Sequence, residues 1–168
     1  MPYAIRTARE TDVPDIVAME LASERASPSG AERLAIAVAA AVSDPLHLVL
    51  VAESEGGSVA NESSGVVGWG KTHYWDYSDG PAPAGHYLGG ITVLPRCRRQ
   101  GVASLLTEAR LAWIWQLSDA AWYVVNARNN ASLSLHQQWG FREIARRPSF
   151  HTVNFDGGEG ILLKALSP

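Results

Sequence analysis

The chain has 168 residues, 46% apolar and 18% charged, which supports a sizeable core in one domain and speaks against wholesale disorder. A formal net charge of −3, with basic residues clustered locally and residues 10–32 rich in Glu and Asp, argues against general nucleic-acid affinity. The single cysteine, Cys97, excludes an internal disulfide, no apolar run reaches membrane-spanning length and the N-terminus lacks a signal-peptide pattern, so a cytoplasmic protein with no nucleic-acid and no membrane partner is expected.

In chain order, Tyr3 to Thr7 reads as a strand. Thr11, Asp12 and Pro14 then cap a helix carrying Val13, Ile16, Val17 and Leu21 at helical spacing. A break at Ser27 to Gly30 precedes an alanine-rich helix, Ala31 to Val42, which Ser43-Asp44-Pro45 ends. Apolar residues from Leu46 to Glu53 predict a strand, Ser54 to Ser64 a polar hairpin loop, and Gly65 to Trp75 a further strand. A Pro/Gly-rich loop, Tyr77 to Gly85, leads to a strand over Leu88 to Val93, followed by a helix from Val102 to about Leu117. Ala121 to Asn126 reads as a buried strand, Ser132 to Trp139 as a short helix, and Phe141 to Arg146 and Gly160 to Leu166 as closing strands. No internal repeat or domain boundary is visible, so a single domain, 1–168, is expected.

The chemistry concentrates at Leu88 to Leu106, where a strand runs through a basic loop into a helix. The first turn of a helix presents unpaired backbone N–H groups at the positive end of the macrodipole, which suits a phosphate. Gly101 and Ala103 keep side chains out of its way, and Arg96, Arg98 and Arg99 add guanidiniums that match phosphate geometry. The bland alternative is a solvated loop with a glycine for tight packing. Neither G-x-x-x-x-G-K-[ST] nor G-x-G-x-x-G is present, which speaks against a nucleoside triphosphatase or a nicotinamide enzyme.

The loop Arg98-x-x-Gly101-x-Ala103, the later run Asn129, Ser132, Leu135, His136, Gly140, Phe141 and the element order together resemble the GCN5-related N-acetyltransferase superfamily. The resemblance covers nearly the whole chain. It implies an α/β (α+β) fold with a mixed, mostly antiparallel twisted sheet of six to seven strands, splayed at a β-bulge and flanked by about four helices. It also implies acetyl-CoA as acyl donor, with its pyrophosphate on Arg98, Arg99, Gln100, Gly101, Val102, Ala103 and Ser104. Its pantetheine arm would lie as a pseudo-strand in the gap between the strands Leu88 to Val93 and Ala121 to Asn126, with Ile91, Thr92, Val93, Asn129, Ser132 and His136 as further cofactor contacts, in a site without metal. Gly89 and Gly90 suit a bulge or a close backbone approach there.

Acyl transfer from a thioester to an amine needs a neutral amine, a held oxyanion and a protonated leaving thiolate. The resemblance implies that the backbone N–H of Val93 or its neighbour takes the oxyanion. Where relatives often carry tyrosine for the thiolate this chain has His136, which suits proton transfer near neutral pH; packing beside the cofactor is the alternative. Many relatives place a glutamate before the bulge, and glycines stand there here. His86 is the leading candidate base, with Tyr87, Asp76, His73 and Glu53 behind it. Three arginines beside Cys97 make a covalent acetyl-enzyme conceivable, against direct transfer in the family.

Glu24, Asp76 and Tyr87 are candidate acceptor binders, with Glu20 and Asp79 beside them, because acidic and aromatic groups together suit a cation. The leading expectation is a small-molecule amine: the stretch Tyr87 to Val102 with the Asn129–His136 motif is somewhat similar to aminoglycoside 6'-N-acetyltransferases. A peptide or protein N-terminal acetyltransferase is an alternative, and a non-catalytic acyl-CoA-binding module another. On the helix after Gly101, Leu105, Leu106, Ala109, Trp113 and Leu117 share one apolar face while Leu111 and Trp115 fall on another. That second face is a candidate homodimer contact, with burial inside the monomer as the alternative.

Overall fold

The computed structural model describes residues 3–56, 65–155 and 157–168; the polar loop expected over Ser54 to Ser64 lies, from residue 57 onward, outside them. The elements are β1 (Tyr3–Thr7), α1 (Val13–Ala22), α2 (Ala31–Ser43), β2 (Val49–Ser54), β3 (Val66–Trp75), β4 (Gly85–Val93) and α3 (Val102–Ile114), then β5 (Ala120–Asn126), α4 (Asn130–His136), β6 (Arg142–Arg147), β7 (Ser149–Phe150), β8 (Val153–Asn154) and β9 (Gly160–Leu166). Seven strands hydrogen-bond in the order β1-β2-β3-β4-β5-β9-β6. The β1/β2, β2/β3, β5/β9 and β6/β9 ladders are antiparallel, and β4 meets β5 in parallel at Tyr87↔Trp122. Register shifts fall at Ala52/Glu53 and at Glu143/Ala145. This is the mixed, mostly antiparallel sheet with helices that the resemblance implied.

Several boundaries differ from expectation for local reasons. The β2 strand starts at Val49 because Asp44 Oδ1 takes the Leu46 N–H and Thr72 Oγ1 takes that of Leu48. Asp12 does not cap α1 with its side chain; its carboxylate closes the preceding turn on the Arg9 N–H (2.7 Å) and receives Arg6. The α3 helix ends at Ile114 because Gln116 and Leu117 tighten onto carbonyls three residues back. The expected helix Ser132 to Trp139 is α4 plus a 3-10 turn at Gln137–Trp139, and the β7/β8 hairpin was not anticipated.

The chain divides into two compact units, Met1–Thr72 with Gly90–Arg110, and His73–Gly89 with Leu111–Pro168. The core of the first unit gathers Ile16 and Met19 of α1, Val38 of α2, Val51 of β2, Val67 and Trp69 of β3, and Val102 and Leu106 of α3. Fully burying each aliphatic side chain of this size contributes about 1.5–3 kcal/mol before entropy is charged. Arg6 ties β1 to its surroundings through both Asp12 oxygens (2.7 and 2.8 Å) and Glu53 (2.8 Å), and its guanidinium holds the Asp12 carboxyl below the usual range.

Arg110, in the same unit, is fully buried. Its guanidinium donates to the carbonyls of Lys71 (3.0 Å) and Leu106 (3.2 Å) and to Thr107 Oγ1 (3.0 Å), and burial lowers its pKa to about 9. It approaches β3 where Gly70 lacks a side chain: a Cβ at Gly70 would lie 3.3 Å from the guanidinium carbon.

In the second unit, Ala121, Tyr123 and Val125 of β5 face Leu111, Ile114 and Phe141, and Trp115 packs against this cluster. Leu111 of the helical face singled out as a dimer candidate is thus fully buried and Trp115 half-buried within this unit. On the other face Phe150 of β7 is fully buried with Ala82, Tyr87 and Leu162. Among the described residues, no helix is long and apolar enough to cross a membrane.

Candidate functional site

The loop before α3, in the first unit, has an unusual backbone. A 3-10 turn at Pro95–Cys97 leads to Arg99 at φ +59 and Gly101 at φ +85. The α3 ladder opens with the Leu105 N–H on the Gly101 carbonyl (3.0 Å), so the amides of Val102, Ala103 and Ser104 form the first turn, before that ladder. A Cβ at Gly101 would meet nothing within 4 Å. Arg98, Arg99, Gln100 and Gly101 are exposed, Ala103 and Ser104 half-buried and Val102 buried. Gln100 is pinned, receiving the Tyr3 hydroxyl (2.5 Å) and donating to the Arg96 carbonyl (2.9 Å). A positive φ at a non-glycine residue such as Arg99 is uncommon and marks a loop shaped by more than its local preference.

At the end of β4, Ile91 is half-buried while Thr92 and Val93 are buried. The Val93 carbonyl receives Arg98 Nε (3.1 Å), and the Leu94 N–H donates to the Val67 carbonyl (2.9 Å), which engages that neighbouring amide. Cys97 is buried in the first core, with its N–H on the Leu94 carbonyl (2.8 Å).

The second motif lies in the second unit. Asn129 Oδ1 accepts the Ser132 N–H (3.1 Å) and so caps α4. One helical turn on, His136 is only 3% exposed and its Nδ1 lies 2.7 Å from the Ser132 carbonyl oxygen. A carbonyl only accepts, so Nδ1 carries a proton. The imidazole stacks on Tyr123 (4.2 Å, 27°) and meets the edge of Phe141 (5.7 Å, 87°). The Tyr123 hydroxyl is buried toward Ser132 without closing a hydrogen bond of normal geometry. Burial pushes its pKa up to about 12, against a smaller lowering by Ser132.

Among the candidate bases and acceptor binders of the second unit, Tyr87 and Asp79 meet around His151, whose ring lies 5.5 Å from that of Tyr87 and whose N–H donates to Asp79 (2.7 Å). His86 is half-buried between Tyr74 (4.8 Å) and Trp113 (5.4 Å), while His73 leans on Trp75 (4.3 Å). Glu53 is engaged by Arg6. Glu24 is exposed with φ +56 and Asp76 is exposed; Tyr87 is buried, donates to the Pro83 carbonyl (2.7 Å), and burial raises its pKa. Glu20 is buried and accepts Trp69 Nε1 (2.8 Å). Asp79 receives the His151 N–H (2.7 Å) and Arg147 (3.3 Å), contacts that hold its carboxyl below the usual range. The His151 ring stacks on Trp75 (4.5 Å, 2°).

Three residues of this region escaped sequence reasoning. Tyr123 was read only as part of a strand, and its inward phase was the available signal. Arg147 and His151 lie 68 and 72 residues from Asp79, and no local pattern announces such contacts. Among the described residues, no group of three or more His, Cys, Asp or Glu could hold a metal ion.

The model of the acetyltransferase (GNAT) family matches residues 19–141. Among solved structures, the chain is similar to the ribosomal-protein-alanine N-acetyltransferase from Brucella melitensis, with 20% identity, TM-score 0.73, and 98% of this chain and 99% of that one covered. It is similar to a chain of the NatC complex bound to Gag peptide and CoA, with 14% identity, TM-score 0.72, and 100% of both chains covered. A structure of yncA from Salmonella typhimurium with its cofactor acetyl-CoA is similar at 20% identity and TM-score 0.68, covering 98% of this chain and 93% of that one. At these identities the likeness is one of fold. No curated protein matches the chain.

Proposed function

The chain belongs to the acetyltransferase (GNAT) family, and on that premise we propose that it acetylates the N-terminal α-amine of a peptide or protein. It is an acetyl-CoA-dependent acetyltransferase; the proposal concerns its acceptor and the roles of its residues. Support for a peptide acceptor comes from the relatives, one an acetyltransferase of a ribosomal-protein alanine and another bound to a peptide together with CoA. The exposed Asp76 and Tyr77, an acid beside an aromatic ring, favour a second reading, a small cationic amine, for which an aminoglycoside is the natural probe.

The observation that carries the donor site is Gly101, left-handed and open at the N-terminus of α3, beside Arg98 and Arg99. These residues fit a diphosphate: amides of a first helical turn, open space at the glycine, and two exposed guanidiniums. Asn129, Ser132 and His136, of the second unit, are assigned to donor contact on the family motif that they match, with Asn129 capping the helix that carries His136. When bound, acetyl-CoA supplies an acetyl carbon activated as a thioester.

The chain's own groups then have distinct tasks. The Val93 amide stabilises negative charge on the carbonyl oxygen, because the Leu94 amide is already engaged with Val67. His136 holds a proton at Nε2 for the departing sulfur, while Nδ1 stays on the Ser132 carbonyl and fixes the ring. His86, half-buried among aromatic rings, is the candidate to take the amine's proton.

Thiol release from acetyl-CoA, measured over peptides beginning with Ala, Ser and Met and over polyamines and aminoglycosides, tests the acceptor. Turnover confined to the peptides supports the proposal; turnover confined to the small amines overturns it. On the accepted amine, His136→Gln is expected to lower kcat by about a hundredfold or more with little change in KM for acetyl-CoA.

A further inference from the structure

We propose that Tyr123 is a positioning residue for His136: its ring is the platform that sets the plane of the imidazole and the electron-rich face against which the imidazolium forms. The proposal rests on the reading of His136 as the proton donor to the leaving sulfur.

Two constraints fix an imidazole in space, one on an edge and one on a face. The edge is held by the Ser132 carbonyl at 2.7 Å from Nδ1. The face is held by Tyr123, whose ring centroid is 4.2 Å away at 27°, closer than Phe141 at 5.7 Å or Trp139 at 6.3 Å. Tyr123 is itself rigid, 4% exposed on β5 and braced edge-on by Phe141 at 5.0 Å. The imidazole is thus laid on a fixed surface.

The same contacts favour the charged form. A carbonyl on Nδ1–H accepts a stronger hydrogen bond from an imidazolium, and an aromatic face attracts a cation. Against the ring stand Tyr123 from β5, the carbonyl and the hydroxyl (3.4 Å from Nδ1) of Ser132 on its own helix, and Trp139 and Phe141 from the following turn. Tyr123 is the titratable group among these, and burial keeps its phenol neutral through the physiological range, so it acts through its π-cloud. In the step itself the Nε2–H bond breaks, an S–H bond forms on the departing thiolate, and the imidazolium becomes the neutral imidazole that the stack still holds in place.

The test is an NMR titration of the full chain with isotope-labelled histidine, the His136 signal being assigned by its loss in His136→Gln. Tyr123→Phe keeps the ring and is expected to leave both the His136 pKa and its Nδ1–H tautomer unchanged. Tyr123→Met keeps bulk but removes the ring, and is expected to lower the His136 pKa by about half a unit, the size of one exposed cation–π contact. An unchanged pKa and tautomer in folded Tyr123→Met overturns the proposal. If that variant does not fold, wild-type chain labelled with 3-fluorotyrosine replaces it: the thinner π-cloud should lower the His136 pKa, and no shift would overturn the idea. Turnover by His136→Gln separates the two readings. Full kcat in that variant removes His136 from the reaction, whereas a lost kcat with no Tyr123 effect on the titration removes only the positioning role.

Discussion

Gly101→Ala separates what the loop needs for its own shape from what it needs for a ligand. Gly101 sits at φ +85, where an L-residue is strained, yet a Cβ there meets no protein atom within 4 Å. The folded protein therefore pays only for the backbone, about 1–2 kcal/mol for forcing alanine into the left-handed region. For a chain of 168 residues that corresponds to a fall in Tm of about 2–8 °C. Gly158 is a matched control, with φ +81 and equally open space, in the turn before β9. Gly158→Ala should lose comparable stability. The two should part company in calorimetric titration with acetyl-CoA: the new methyl at 101 occupies the space assigned to phosphate oxygens, and affinity should fall about tenfold or more, at least 1.4 kcal/mol. Unchanged affinity in Gly101→Ala, or an equal loss in Gly158→Ala, would refute the placement of the diphosphate on this turn.

Other perturbations probe separate parts of the molecule. Asn129→Ala removes the cap on the Ser132 N–H and should cost about 1 kcal/mol, a Tm decrease of about 2–4 °C by calorimetry, with Asn129→Asp restoring it. The Asp79 carboxyl is held below its ordinary value, first by the His151 N–H and then by Arg147, so its contribution is present above the unfolded pKa near 4 and is lost as pH falls through the folded value. Urea unfolding of wild type and Asp79→Asn should therefore differ at pH 6 and converge in stronger acid; a difference that grows on acidification would contradict the sign. Cys97 is buried in the first core, and Cys97→Ser should leave kcat unchanged at a modest cost in Tm, whereas loss of turnover with a normal fold would point to a covalent acetyl-enzyme.

Sequence reasoning reached furthest where the determining contacts are local. The turn from Arg98 to Ala103 and the run from Asn129 to Phe141 carry their geometry within a few residues: a left-handed glycine, a cap, a carbonyl one helical turn before a histidine. The strands over Tyr3–Thr7 and Ala120–Asn126 were legible because their side chains alternate or run apolar. Contacts between distant segments were not. Nothing near Asp79 signals that Arg147 and His151 will meet it, and nothing near Tyr123 signals that its ring will lie under His136. Two-residue strands such as β7 and β8 are too short to show a period at all. The boundaries moved for the same reason, since β2 begins where Thr72, 24 residues away, stops holding the chain.

The approach of Arg110 to Gly70 has a consequence for anyone who diversifies this scaffold. A Cβ introduced at Gly70 would lie 3.3 Å from a fully buried guanidinium, tight enough that a cation held by three hydrogen bonds must shift by a few tenths of an ångström to admit it. The two positions therefore behave as one genetic unit. A library that randomises Gly70 alone should return glycine, and alternatives should emerge only when Arg110 is released in the same clone, with a strongly non-additive pair energy as the signature. A recombination break placed between β3 and α3 would separate the partners and lose both parents' solutions.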